Sequence, residues 1–199
     1  SLAIAIDNAN LARRGIKETS QTACAVFTAK MQMKLSMETE MTVNMVSALQ
    51  NDEFTVYYQP KVSVLSGEIN GAEALVRWMR ADGTLIPPDS FIPLFEKNGF
   101  VTNVDFYVFE EVLKFLRNRL DRQQSVIPIS VNFSRRHLEN HEFLDKIIEL
   151  MHQYQISYQL IEFELTESMF VNNTNAVKEY LNEMRQLGLS VSIDDFGSG

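Results

Sequence analysis

Small or apolar residues alternate with polar ones in several separate stretches of the chain. Over residues 72–78, small or apolar residues alternate with Glu73, Leu75 and Arg77. Comparable alternation recurs over 127–134, 160–166 and 189–194. Because successive side chains of a strand point to opposite sides, each stretch predicts a strand with one apolar face and one mostly polar face.

Helical periodicity fills the intervals between these strands. Apolar residues recur at spacings of three and four over 104–120, 140–154 and 174–187, and Gly188 stands where a helix C-terminus favours glycine. A shorter helix is predicted from the Pro87-Pro88 pair through Lys97. Strands that alternate with helices of this length are typical of an α/β fold with a parallel sheet. The alternation alone does not decide between a closed barrel and an open sheet.

A hairpin is predicted at the beginning of the sheet. Residues 54–65 are rich in β-branched and aromatic side chains, and only Ser66 and Gly67 separate them from the strand over 69–78. A short turn with glycine joins antiparallel strands. The first strand is therefore expected to run antiparallel to the second.

The first fifty residues have a different pattern. Residues 4–14 are compatible with a helix and residues 23–27 with a short strand, and Ser36 is a plausible N-cap for a helix with an apolar methionine stripe. Such a stripe is more often adaptable core or an interdomain contact than a cofactor site. We therefore divide the chain into residues 1–33, a connector helix over 34–51, and a main domain over 52–199.

The polar faces of the predicted strands carry oxygen ligands near the carboxyl ends of the strands. These residues are Glu73, Asn132, Glu164, Asp194 and Asp195. The arrangement fits a barrel whose outer face packs on helices and whose C-terminal mouth carries chemistry. Oxygen donors without Cys or His suit Mg²⁺, Mn²⁺ or Ca²⁺ and match structural zinc poorly. The adjacent aspartates would allow one ion to be shared with a second, as two-metal phosphodiester chemistry requires.

A structural explanation of these polar faces stays open on the pattern alone. A polar strand face is also what solvent exposure produces, and any one of these positions taken alone is more often structural than catalytic. A protein kinase is a third reading, because residues 194–197 contain Asp-Phe-Gly. It is set aside because the chain has neither the glycine-rich phosphate loop nor the His-Arg-Asp motif of kinases.

Charge and composition exclude several classes of protein. The chain has 26 acidic and 18 basic residues among 199, a net charge of −8 that argues against binding a nucleic-acid polymer. No apolar run approaches the roughly 18 residues of a membrane span, and no secretory signal is visible. The single cysteine, Cys24, excludes an internal disulfide framework and fits a reducing cytoplasm.

Several motifs together resemble one known family, the EAL-domain phosphodiesterases that hydrolyse the bacterial second messenger cyclic di-GMP. The hexapeptide Glu-Ala-Leu-Val-Arg-Trp at 73–78 resembles the signature of the family. The other motifs follow in family order: Tyr-Gln-Pro-Lys-Val at 58–62, Phe-Ile-Pro at 91–93 with Glu96, Val-Asn-Phe-Ser at 131–134, Glu-Leu-Thr-Glu at 164–167 and Asp-Asp-Phe-Gly at 194–197.

The resemblance implies a TIM-like barrel with an antiparallel first strand, and it assigns roles to residues of this chain. It implies two ions, Mg²⁺ or Mn²⁺, the first bound by Glu73, Asn132, Glu164 and Asp194, and the second shared by Asp194 and held by Asp195. Glu167 would brace the loop after Asp-Asp-Phe-Gly. Cyclic di-GMP would be contacted by Gln59, Leu75, Arg77 and Asp105, with Arg77 at a phosphate and Asp105 at a guanine edge.

The resemblance also bears on the extent of the chain. Residues 1–33 resemble the end of a GGDEF (diguanylate-cyclase-like) domain, although the Gly-Gly-Asp-Glu-Phe signature is not in the sequence. A complete barrel takes eight strands and about 250 residues, so we expect a barrel truncated after about five strands within a longer parent protein. The family's later lysine, glutamate and glutamine would lie beyond it. We expect a cytoplasmic domain, with a membrane tether elsewhere in the parent and a homodimer both compatible with the family.

Three functions follow from the resemblance. The first is two-metal hydrolysis of cyclic di-GMP to linear pGpG by the intact parent, with this chain alone inactive. The second is a catalytically inactive cyclic di-GMP receptor, and the third is an interaction domain without metal or ligand. The presence of all the first-ion ligands favours the enzyme over the receptor. The presence of Gln59, Arg77 and the two aspartates argues against the interaction domain.

Overall fold

The computed structural model describes residues 2–14, 24–139, 142–166 and 174–194. The chain divides into two compact units, Ser1–Val46 and Ser47–Gly199. The first unit contains helix α1 (Leu2–Arg14) and most of helix α2 (Ala29–Gln50). Among the described residues, no helix is long and apolar enough to cross a membrane.

Two local predictions about the first unit are wrong. Helix α2 begins at Ala29, seven residues before Ser36, and the backbone N–H of Met31 donates a hydrogen bond of 3.3 Å to the Thr28 hydroxyl. Thr28 is therefore the residue that caps the helix. Residues 24–27, the described part of the strand predicted over 23–27, form no strand.

The second unit contains the sheet and the remaining helices. Its strands are β1 (Phe54–Val62), β2 (Ile69–Met79), β3 (Leu85–Ile86), β4 (Ile129–Asn132), β5 (Ile161–Thr166) and β6 (Ser190–Asp194). Its helices are α3 (Pro88–Asn98), α4 (Val101–Asp121), α5 (Phe143–Tyr154) and α6 (Thr174–Gln186). Short 3₁₀ helices cover Arg135–Glu139 and Tyr158–Leu160.

The strand order is β1-β2-β4-β5-β6, with β3 paired to β2. Strands β1 and β2 are antiparallel, whereas β2, β4, β5 and β6 are parallel. The α/β class and the antiparallel first strand are thus confirmed. Within the described residues the sheet is open, in keeping with the expected truncated barrel. The hairpin loop is longer than the two residues predicted, because β1 ends at Val62 and β2 begins at Ile69.

The outer face of the sheet packs against the helices through aromatic residues. Phe54 and Trp78 are cross-strand partners with ring centroids 5.0 Å apart, and α3 adds Phe91 and Phe95 to the cluster. The indole N–H of Trp78 donates to the Glu53 carboxylate at 2.9 Å, which satisfies its one polar group. The apolar strand faces predicted from the sequence therefore pack against the helices. The polar residues lie on the opposite face of the sheet.

Candidate active site

Three of the predicted metal ligands lie on neighbouring parallel strands. Glu73 is on β2, Asn132 on β4 and Glu164 on β5, and Asn132 and Glu164 are register partners. Glu73 pairs in register with Ser130, which shares its strand face with Asn132 two residues later. Because residues two apart on a strand project to the same side, the three side chains lie on one face of the sheet.

A hydrogen bond connects two of these ligands directly. The Asn132 amide Nδ2 donates to Glu73 Oε1 at 2.8 Å. The structure therefore brings the first two predicted ligands together, 59 residues apart in the sequence.

Glu164 is the buried member of the group, with 7% of its surface exposed. One carboxylate oxygen, Oε1, lies 2.5 Å from the Lys61 ammonium. The other, Oε2, is buried and has no hydrogen-bond partner within the described residues. A buried carboxylate oxygen is costly when it is left unpaired, so its position fits a cation ligand.

The donor set fits a hard divalent ion, although the described residues supply only part of it. Two carboxylates and an amide are the ligand types that Mg²⁺ and Mn²⁺ prefer. In the part of the chain that the structure describes, no group of three or more Asp, Glu, His or Cys side chains is placed so that it could hold a metal ion. Asp194 ends β6 opposite Thr166, but its side chain, Asp195 and Glu167 lie outside the described residues.

Lys61 is a site residue to which the sequence reading gave no role. Its ammonium lies 2.5 Å from Glu164 Oε1 and 3.4 Å from Glu162 Oε2. Burial opposes the charge, but the hydrogen bonds and charges of Glu164 and Glu162 outweigh it and raise the pKa of Lys61 above its ordinary value. The available signal was its position on β1, in phase with Gln59 on the polar face.

The contact between Lys61 and Glu164 also describes the shape of the sheet. Strands β1 and β5 are separated by β2 and β4 in the strand order. In a flat sheet they would be about 14 Å apart, three spacings of about 4.8 Å. The long Lys61 and Glu164 side chains span part of this distance, and the contact is in keeping with a sheet that curls toward its polar face.

Three of the four predicted substrate residues line one cavity of about 240 Å³. These are Leu75, Arg77 and Asp105, and Asn132 lines the same cavity beside them. The Arg77 guanidinium donates to the Val76 carbonyl at 2.8 Å and lies 5.6 Å from the centre of the Tyr57 ring. Gln59 does not line this cavity and instead pairs in register with Glu73.

Asp105 is buried and held by two groups. Its Oδ2 accepts a hydrogen bond of 2.9 Å from the Ser134 backbone N–H and lies 3.0 Å from His137 Nε2. The imidazole of His137 is itself buried among the rings of Phe106, Phe133 and Phe143. His137 was missed from the sequence, because no local pattern distinguishes a histidine in a short 3₁₀ helix from a surface residue.

Comparison with known proteins supplies the family. A family model described as the EAL domain matches residues 43–199. The chain belongs to the EAL domain family. The signaling protein YkoW of Bacillus subtilis is 31% identical over 191 residues, which cover 96% of this chain and 24% of YkoW. The cyclic di-GMP phosphodiesterase PdeR of Escherichia coli is 30% identical over 194 residues, which cover 98% of this chain and 29% of PdeR.

Solved structures of EAL proteins have the same fold. The PaMucR phosphodiesterase in complex with c-di-GMP has a TM-score of 0.75 and 29% identity, covering 80% of this chain and 65% of that one. The FimX EAL domain of Xanthomonas citri, in complex with c-diGMP, has a TM-score of 0.73 but 20% identity over 84% of this chain and 65% of that one, and shows the fold alone. The chain spans about a quarter of the length of the curated relatives it matches.

Proposed function

We propose that the chain is part of a phosphodiesterase that hydrolyses cyclic di-GMP to linear pGpG. The observation that carries the proposal is the juxtaposition of Glu73, Asn132 and Glu164 on one sheet face, next to a cavity lined by Leu75, Arg77 and Asp105. Membership of the EAL family supports it, as do relatives named cyclic di-GMP phosphodiesterases and a similar structure in complex with c-di-GMP.

Two divalent ions, Mg²⁺ or Mn²⁺, would be held at the carboxyl ends of the strands. The first would be bound by Glu73, Asn132, Glu164 and Asp194, and the second by Asp194 and Asp195. Bound ions of this kind supply a water of lowered pKa and neutralise phosphate charge. They would let a chain with a net charge of −8 bind a dianionic ligand without a basic patch.

The remaining predicted residues bind and orient the substrate. The Arg77 guanidinium would meet a phosphate, for which its planar set of donors is suited. The Asp105 carboxylate would accept hydrogen bonds from a guanine edge, with Leu75 packing against the dinucleotide and Gln59 contacting it from β1. Glu167 would hold the loop after Asp194 and Asp195. A cytoplasmic location accompanies this proposal, as the lone Cys24 fits a reducing compartment.

The test uses the full-length protein that carries this chain. Incubation with cyclic di-GMP and Mn²⁺ or Mg²⁺, followed by chromatography, should yield pGpG. Glu73→Ala should reduce turnover by at least about 100-fold, in the range of lost charge stabilisation at a reacting centre. Glu68→Ala, which removes an exposed carboxylate in the hairpin loop, is the matched control and should leave turnover unchanged. Binding of cyclic di-GMP without turnover would replace the enzyme by a receptor.

A further inference from the structure

Lys61 contacts two carboxylates of β5 and is not among the residues that line the substrate cavity. Its ammonium is 2.5 Å from Glu164 and 3.4 Å from Glu162, which occupy the same face of the strand two residues apart. Lys61 and Glu162 are both absent from the ligand set proposed above. Lys61 contacts Glu164 directly, and Glu162 is connected to the candidate metal centre through its contact with Lys61.

The two oxygens of Glu164 are in different environments. Oε1 is bound to the Lys61 ammonium, whereas Oε2 is buried without a hydrogen-bond partner in the described part of the chain. Ionised carboxylates are rarely buried unless they are paired with a cation. Lys61 thus provides the cation at one oxygen and leaves the second oxygen for another.

We propose that Lys61 is an internal counter-cation that sets the affinity of the metal centre for divalent ions. It compensates the Glu164 carboxylate when no ion is bound, and it repels an ion that binds at the same carboxylate. Glu162 moderates this repulsion because it shares the ammonium. The proposal rests on the assignment of Glu164 as a metal ligand in the proposed function.

The sign of the effect follows from the charges. Lys61→Met removes a unit positive charge and keeps a side chain of similar length. Even with water-like screening, a unit charge one carboxylate away from a divalent ion changes its affinity by about tenfold. We therefore expect the Mn²⁺ concentration for half-saturation to fall about tenfold or more in Lys61→Met. Glu162→Gln should raise this concentration, because the negative charge of Glu162 then no longer offsets the positive charge of the Lys61 ammonium.

Isothermal titration with Mn²⁺ and no substrate, on the full-length protein, measures this affinity directly. Lys61→Arg keeps the charge and is the matched control. Its affinity for Mn²⁺ should lie within about threefold of that of the unsubstituted protein. Thermal unfolding in EDTA and in Mn²⁺ reports folding separately, and the rise in Tm caused by Mn²⁺ should be larger in Lys61→Met than in the parent. Glu162→Gln alters a residue that is one-third exposed and provides the independent second variant.

The outcomes separate this proposal from the one on which it rests. Loss of Mn²⁺ binding in Glu164→Gln together with tighter binding in Lys61→Met supports both. Loss in Glu164→Gln with unchanged or weaker binding in Lys61→Met overturns the counter-cation role and leaves the metal centre in place. Unaltered binding in Glu164→Gln overturns the assignment of Glu164 itself.

Discussion

The imidazole of His137 holds the carboxylate of Asp105 in a buried pair, with Nε2 and Oδ2 3.0 Å apart. The pair joins helix α4 to the 3₁₀ helix that follows β4. Because the Ser134 backbone N–H binds the same oxygen at 2.9 Å, Asp105 is fixed from two directions at the edge of the cavity. A carboxylate held in this way is oriented in advance for a ligand, which lowers the cost of ordering it on binding.

Replacing His137 should therefore weaken binding of cyclic di-GMP. His137→Phe preserves a flat ring among the surrounding aromatic side chains but removes the hydrogen bond, and we expect about a tenfold rise in Kd, the equivalent of one hydrogen bond to a charged group. His137→Gln retains a donor and should recover part of the loss. Calorimetric titration with cyclic di-GMP under conditions without turnover measures the effect.

The double variant separates positioning from packing. Asp105→Asn should weaken cyclic di-GMP binding by a similar factor, and adding His137→Phe to it should have little further effect because the two residues act through one contact. Unchanged affinity in His137→Phe, with its folding intact by circular dichroism, would contradict the role of His137. If the effects of the two substitutions on affinity were fully additive, His137 would act through packing alone.

The hydrogen bond between Asn132 and Glu73 predicts a metal-dependent stability effect. Asn132→Asp keeps an oxygen ligand but places a second carboxylate where the amide donor is now 2.8 Å from Glu73. Two carboxylates at that distance repel each other unless a cation lies between them. We expect the free energy of unfolding to fall by about 1–3 kcal/mol in EDTA and to be largely restored in Mn²⁺.

Thermal and urea unfolding with and without Mn²⁺ check this expectation. Asn182→Asp, at an exposed position of helix α6, is the matched control and should show no dependence on Mn²⁺. A loss of stability in Asn132→Asp that Mn²⁺ does not reverse would place Asn132 outside the metal centre.

Tyr154 and Glu110 form a hydrogen bond whose contribution to the stability of the fold depends on pH. The Tyr154 hydroxyl donates to Glu110 Oε1 at 2.6 Å, and this hydrogen bond, with help from Lys114 and against partial burial, lowers the pKa of Glu110. A lowered pKa in the folded state stabilises the protein above the unfolded pKa of about 4.3, and this stabilisation is lost as the pH falls through the folded value. Tyr154→Phe should therefore cost about 1 kcal/mol near neutral pH and less at about pH 3.

Urea unfolding of the parent and of Tyr154→Phe across this pH range provides the measurement. Tyr158→Phe removes the hydroxyl of an exposed contact with His152 and serves as the control, with a much smaller cost near neutral pH. A cost in Tyr154→Phe that is equal at both ends of the range would mean that the ionised carboxylate of Glu110 is not the relevant partner.

Much of the fold follows from local patterns in the sequence. The periods of two and 3.6 residues predict the order of the strands and helices of the second unit except for the two-residue strand β3, and the short link after β1 predicts the antiparallel first pair. Such patterns fail where a short segment is compatible with several local conformations. The start of helix α2 at Ala29 after the Thr28 cap, the irregular residues 24–28 and the six-residue hairpin loop are of this kind.

By itself, the sequence determined the α/β class, the polar strand face with Glu73, Asn132 and Glu164, and the family to which these motifs belong. Strand alternation places such residues on one side without any knowledge of distant contacts. Only the tertiary structure decided that Lys61 meets Glu164, 103 residues away, and that His137 holds Asp105. These contacts depend on the curl of the sheet and on the packing of α4 against the segment after β4, and no local period in the sequence encodes either.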